Sequence, residues 1–155
     1  MGLLQTDLVK NALSQPKVIA FLKRVVPPLD KFLLRISRGW LNTAMQAVVL
    51  LETMGAKSGQ RRQIATLCMP EGSNLVLVGS NWGQERDPAW AYNLRANPDP
   101  KVHFRGYVGL MQARELSGEE RTQCWEKLVE FNPQYAQYQR GTQRTLPVFL
   151  LSRHN

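Results

Sequence analysis

Apolar positions in the first 39 residues recur at the three- and four-residue spacing of helices. Val18, Ile19, Leu22 and Val26 follow Pro16, which suits a helix's first turn, and Pro27-Pro28 predicts that this helix ends there. Leu29, Phe32, Leu33 and Ile36 share one face of a second predicted helix, with Lys31, Arg35 and Arg38 on another and Gly39 as C-cap. From residue 46 the period changes. Residues 46–53 form a β-branched apolar run fit for a buried strand, and strands over 63–69 and 74–79 flank a Pro70-Glu-Gly-Ser73 turn. Asp87-Pro88 predicts an N-cap and first turn for a helix reaching Asn97. Strands over 101–105 and 107–115 come next, and Ser117 with Glu120 predicts a capping box opening a helix to Phe131. A short helical turn with Tyr135 and Tyr138, then a strand over 146–151, completes the pattern.

Short strands interrupted by one helix predict an α+β fold: a small antiparallel barrel (residues 40–151) behind a helical, basic N-terminal segment (1–39), together one domain. A doubly wound Rossmann sheet is excluded, because strands and helices do not alternate and no Gly-x-Gly-x-x-Gly follows a strand.

Charge narrows the partners. The chain carries a formal net charge of +8, and its first 39 residues hold seven Lys or Arg against two Asp. Such a balance favours an anionic partner: nucleic acid, a membrane surface, or a phosphorylated or carboxylate-bearing small molecule. The N-terminal pair of helices reads either as packed on the barrel with a solvated basic face or as lying on an anionic bilayer. Cys68 and Cys124 have no metal-ligand spacing, which predicts a reducing, cytoplasmic setting, and no signal peptide is apparent. With two histidines, His103 and His154, a zinc site or Ser-His-Asp triad is not expected.

Three segments carry candidate chemistry. Between two predicted strands, Gly55-Ala-Lys-Ser-Gly-Gln-Arg-Arg62 combines backbone freedom at Gly55 and Gly59 with the charges of Lys57, Arg61 and Arg62 and the Ser58 hydroxyl. It suits a phosphate or carboxylate, and reads equally as a solvated basic hairpin turn. It is not a Walker A loop, since a strand and not a helix follows. Gly79-Ser-Asn-Trp-Gly83 ends a strand in small residues that would let a flat ligand approach the backbone. In the third segment, Trp90, Asn93, Leu94 and Asn97 lie along one helix face, where Asn93 needs a polar partner in the protein or a ligand.

Taken in order, these segments resemble the deazaflavin-dependent nitroreductase family, which includes quinone reductases and uses coenzyme F(420). The resemblance rests on Leu-Leu-Glu-Thr-Met-Gly-Ala-Lys-Ser-Gly-Gln (50–60), Val-Gly-Ser-Asn-Trp-Gly (78–83) and Asp-Pro-Ala-Trp-Ala-Tyr-Asn-Leu-Arg-Ala-Asn-Pro (87–98), with Tyr135, Tyr138 and Arg144-Thr-Leu-Pro147 in support. It implies a split β-barrel that passes a hydride from the reduced deazaflavin to a quinone, nitroaromatic or similar conjugated acceptor. By the same resemblance, Lys57, Ser58, Gly59, Gln60 and Arg62 would hold the phosphate and acidic tail. Thr66, Val78, Gly79, Ser80 and Asn81 would line the ring, and Asn93 would touch the cofactor from its helix. Tyr135 and Tyr138 would wall the acceptor pocket. The family usually has Arg where Ala56 stands and Pro-Leu where Ala65 and Thr66 stand; Arg61 is the candidate to restore the missing charge.

Two other readings compete. One is a barrel that binds FMN, or another flavin or tetrapyrrole, with little turnover. The other is a nucleic-acid-binding barrel, suggested by a sequence pI of about 9.9 but short of strand aromatics, which are Phe104, Tyr107 and Phe149. The reading therefore expects a small-molecule acceptor, possible anionic-membrane contact and no nucleic acid, and leaves a homodimer open.

Overall fold

A computed structural model describes residues 16–39 and 47–154. The expectations for residues 1–15, and the predicted strand start at Gln46, lie outside the described residues. The chain runs α1 (Pro16–Ile36), β1 (Val48–Met54), β2 (Arg61–Leu67), β3 (Met69–Glu71), β4 (Asn74–Val78), a 3-10 turn (Asn81–Gly83), α2 (Ala89–Ala96), β5 (Lys101–Phe104), β6 (Tyr107–Glu115), α3 (Gly118–Phe131), α4 (Gln134–Arg140) and β7 (Val148–Arg153).

The seven strands form one antiparallel sheet in the order β2-β1-β5-β6-β7-β4-β3. β6 joins its halves: Tyr107 to Leu110 pair with β5, and Met111 to Glu115 pair with β7. The sheet curls until β4 meets β2, which makes the expected split antiparallel barrel. Inside the curl, Val49, Leu51, Leu77, Met111, Phe149 and Leu151 pack around Trp90 and Leu94 of α2. Outside it, α3 and α4 cover one half through Leu128 and Tyr135, joined by Leu146 of the segment before β7, and α1 covers the other through Leu34 on Val48 and Leu50. Buried on both faces, β1 reads as a continuous apolar run and not as an alternating one.

Three local expectations are corrected. The two predicted N-terminal helices are one, with Pro27 and Pro28 inside it. The prolines deprive the carbonyls of Lys23 and Arg24 of their helical donors, but all four residues are exposed and water can replace those bonds. The helix stops later: Arg38 takes the left-handed position (φ +56°) and the Gly39 N–H reaches Leu34 O at 2.7 Å. Gly39 (φ +89°) lies so close to the backbone of Phe104 that a Cβ would come within 2.3 Å, which lets it accept from the Arg105 N–H. Asp87 and Ser117 precede helices as expected, yet neither side chain caps one. Asp87 is drawn into ion pairs, and Glu120 pairs with Arg114.

Candidate functional site

β1 and β2 pair from Val48–Leu67 to Met54–Arg61, so their connecting turn projects beyond the barrel beside α2. Between turn, strands and helix lies a groove of about 850 Å³. Thr53, Arg62 and Ile64 line it from the strands, Ala56, Lys57 and Ser58 from the turn, and Trp90, Asn93 and Arg95 from α2. One wall is therefore apolar and aromatic while the rim is cationic.

The turn is held from within. Gly55 N–H donates to Gln60 O at 2.8 Å, Gly59 N–H to Gly55 O at 2.9 Å, and Gln60 N–H to Ser58 Oγ at 3.2 Å. Asn93, 7% exposed, accepts from the Ala56 N–H at 2.9 Å and donates to Thr53 Oγ1 at 3.1 Å. Lys57 and Arg62 have no carboxylate partner among the described residues. Arg61 does not replace the charge missing at Ala56. The pleat puts it with Met54 on the face opposite Arg62 and Thr53, away from the groove lining.

Arg95 is a groove cation that sequence reasoning missed, and it is already neutralised. Its Nε and a terminal nitrogen donate to the two Glu115 oxygens at 2.8 Å, and its other nitrogen reaches Asp87 at 2.9 Å. That bidentate pair holds the Glu115 carboxyl below its ordinary range. Asp87 also accepts from Arg144 at 2.5 Å. Arg144 in turn donates to the carbonyls of Gly79 (3.2 Å), Ser80 (2.9 Å) and Gln84 (2.8 Å). An ion-pair chain Glu115–Arg95–Asp87–Arg144 thus links the groove to the loop after β4.

The candidate residues do not gather in one place. Lys57, Ser58, Arg62 and Asn93 meet in the groove, with Gly59 and Gln60 exposed on the same turn. Thr66 shares the Arg62 and Ile64 face of β2, farther into the barrel and opposite Val49. Val78 ends β4, and Gly79, Ser80 and Asn81 form the loop clamped by Arg144. The reason for Gly79 is the protein itself: a Cβ there would come 2.6 Å from the Pro147 ring. Tyr135, 4% exposed, packs with Leu128 and Leu146 in the cluster under α3, away from the groove lining. Burial pushes its phenol up to about 12. Tyr138 is half-buried, with Gly83 and Trp82 beside it.

Behind β1, His103 and Gln63 both bond Glu52 Oε1, at 3.0 and 2.9 Å, and Gln63 accepts from Arg35 of α1. His103, itself buried, serves this part-buried polar cluster, and its Nδ1 has no partner among the described residues.

A family model described as F420H(2)-dependent quinone reductase matches residues 33–153. An F420H(2)-dependent quinone reductase of Mycobacterium tuberculosis is 32% identical over 108 residues, 68% of this chain and 72% of that protein. A solved F420-H2-dependent reductase, FDR-A, aligns over 68% of this chain and 94% of its own with a TM-score of 0.63 and 39% identity. A second solved chain, described as a domain-swapped dimer, gives the same score and identity over 68% of this chain and 80% of its own. Similarity to the haem storage protein HutZ of Vibrio cholerae, 11% identical at a TM-score of 0.50 over 79% and 88% of the chains, extends to the fold alone. The chain belongs to the F420H(2)-dependent quinone reductase family, oxidoreductases whose cofactor is coenzyme F(420).

Proposed function

We propose that this chain reduces a quinone with the reduced deazaflavin seated in the groove between the 55–62 turn and α2. The carrying observation is the pairing of an apolar wall (Ile64, Trp90) with two cations, Lys57 and Arg62, that have no carboxylate partner among the described residues. A flat ring with a phosphorylated, acidic tail matches both halves of that lining. Lys57, Ser58 and Arg62 would hold the anionic tail; Thr66 and residues 78–81 would border the ring.

When bound, the reduced deazaflavin supplies the hydride, and the protein supplies binding, orientation and exclusion of water. The proton does not come from Tyr135. That residue lies buried with Leu128 and Leu146, away from the groove lining, so it serves packing and solvent is left as the donor. Tyr138, half-buried beside Trp82, would then be the tyrosine that faces an acceptor.

An anaerobic assay with reduced coenzyme F(420) against menadione and a nitroaromatic tests this reading. Lys57→Ala is expected to raise the cofactor KM on the order of tenfold, as loss of a charge-assisted hydrogen bond implies, with little change in kcat. An unchanged cofactor KM would refute the placement of the anion grip. Tight binding of FMN with none of the deazaflavin would overturn the cofactor assignment.

The same reading places α1 at an anionic cytoplasmic membrane surface, where lipid-soluble quinones reside. Phe21, Val25, Leu29, Phe32 and Ile36 recur every three or four residues, exposed along one side, with Lys17, Arg24, Lys31 and Arg35 adjoining. No helix among the described residues is long and apolar enough to cross a membrane.

A further inference from the structure

Trp82 contributes little to the fold that carries it. Its side chain is 77% exposed, and its backbone is left-handed at φ +58°, between Asn81 at +43° and Gly83 at +75°. Asn and Gly accept that conformation readily, whereas a bulky L residue is strained in it. A chain selected for stability alone would carry Gly or Asn at this position.

The surroundings nevertheless hold the loop firmly. Arg144 clamps the carbonyls on both sides of Trp82, those of Gly79, Ser80 and Gln84. Asn81 Nδ2 donates to Arg86 O at 2.9 Å, Gly83 N–H to Ser80 O at 2.8 Å and Gln84 N–H to Asn81 O at 3.1 Å. Gly83 presses on α4: a Cβ there would come 3.3 Å from Tyr138 O. The indole meets the Tyr138 ring edge-on, with centroids 6.4 Å apart and planes at 80°. Two aromatic planes near a right angle make a corner, and a side chain so exposed leaves its face open to a ligand. Strain that is over-determined by its surroundings and ends in an open aromatic face points to binding.

We propose that Trp82 is the stacking platform for the quinone ring of the acceptor, with Tyr138 as the side wall. This rests on the reading that the 78–81 segment borders the deazaflavin ring, since Trp82 follows Asn81 directly. The occupant is a planar conjugated acceptor. Stacking on an indole face tolerates differences in ring substituents, so the platform would select for flatness and conjugation.

Full-length wild type, Trp82→Gly, Trp82→Asn and Trp82→Phe separate this from a structural role. The assay varies menadione and reduced coenzyme F(420) independently, alongside thermal melting and elution mass. The Gly and Asn variants are expected to raise the menadione KM by roughly tenfold, in line with the loss of one aromatic stacking contact. Their cofactor KM should stay within about twofold, and their melting temperature should hold or rise as strain is relieved. Trp82→Phe should restore most of the menadione KM. An unchanged menadione KM in both the Gly and Asn variants would overturn the platform. So would parallel rises in both KM values with a lower melting temperature, or a change in elution mass with acceptor kinetics intact. A wild type that fails to oxidise the reduced deazaflavin with menadione would instead sink the hydride-transfer reading, whatever the variants do.

Discussion

Both ends of the Asn93 amide are committed inside the protein, to the Ala56 N–H and to Thr53 Oγ1. The sequence leaves its partner open between the protein and a ligand; in the fold its amide struts the turn that carries Lys57, and the residue lines the groove as well. With the N–H groups of Gly55, Gly59 and Gln60 also engaged, the amides of Lys57 and Ser58 are those that the turn leaves for an anion among the described residues. Asn93→Ala leaves the buried Thr53 Oγ1 without its donor and hands the Ala56 N–H to solvent, and is expected to cost about 1–3 kcal/mol of stability. Cofactor affinity should fall with it, because the turn loses its anchor to α2. Urea unfolding and a fluorescence titration with the deazaflavin measure the two effects. An unshifted unfolding midpoint would contradict the strut. Arg61 makes the complementary point about period: beside Arg62 in sequence, it lies on the opposite face of β2, so adjacent charges do not add at the groove.

At the scale of elements, α1 shows how a local rule yields to context. Pro27-Pro28 predicts a break, but the freed carbonyls lie on exposed residues and the helix continues across them. Continuity has a consequence for the surface. Phe21 and Val25 on one side of the prolines align with Leu29, Phe32 and Ile36 on the other, forming a single exposed apolar stripe, with Phe21 64% and Ile36 59% exposed. If the stripe lies on lipid, the protein should sediment with vesicles rich in phosphatidylglycerol and not with neutral phosphatidylcholine vesicles. Phe21→Glu with Phe32→Glu should abolish binding without altering turnover of soluble menadione, because neither residue lines the groove. Retained binding in that double variant would rule out the stripe as the contact. Most strands were legible because β-branched runs bounded by Gly, Pro and Asn mark them locally; β3 was not, since Pro70 and Glu71, expected in a turn, pair with Leu75 and Asn74 of β4. The side-chain caps were not, since the fold offered Asp87 and Glu120 stronger partners in Arg144 and Arg114.

The whole molecule brings together what no local pattern marks. Arg144 meets Gly79 and Asp87 only because β7 pairs with β4, and Arg95 meets Glu115 only because α2 packs inside the curl. Ordered motifs revealed the groove's turn and the 79–83 loop, but not the ion-pair chain joining them. The same burial sets an alkaline limit on the fold. Cys68 is fully buried inside the curl, and burial raises its thiol from 9.0 to about 12 against a smaller opposing effect of Arg105; burial likewise raises Tyr135 from 10.0 to about 12. Below the unfolded pKa values both groups are neutral in both states, and stability is unaffected. As pH climbs past 9.0 the unfolded thiol ionises and the native one cannot, so stability is lost progressively toward pH 12. By about pH 10.5 the thiol alone should cost about 2 kcal/mol. Urea unfolding at neutral pH and at about pH 10.5 would reveal the loss, and Cys68→Ala with Tyr135→Phe should flatten this alkaline limb. An equally steep limb in the double variant would place the alkaline weakness elsewhere, with the Cys124 thiol, which burial also raises, the next candidate.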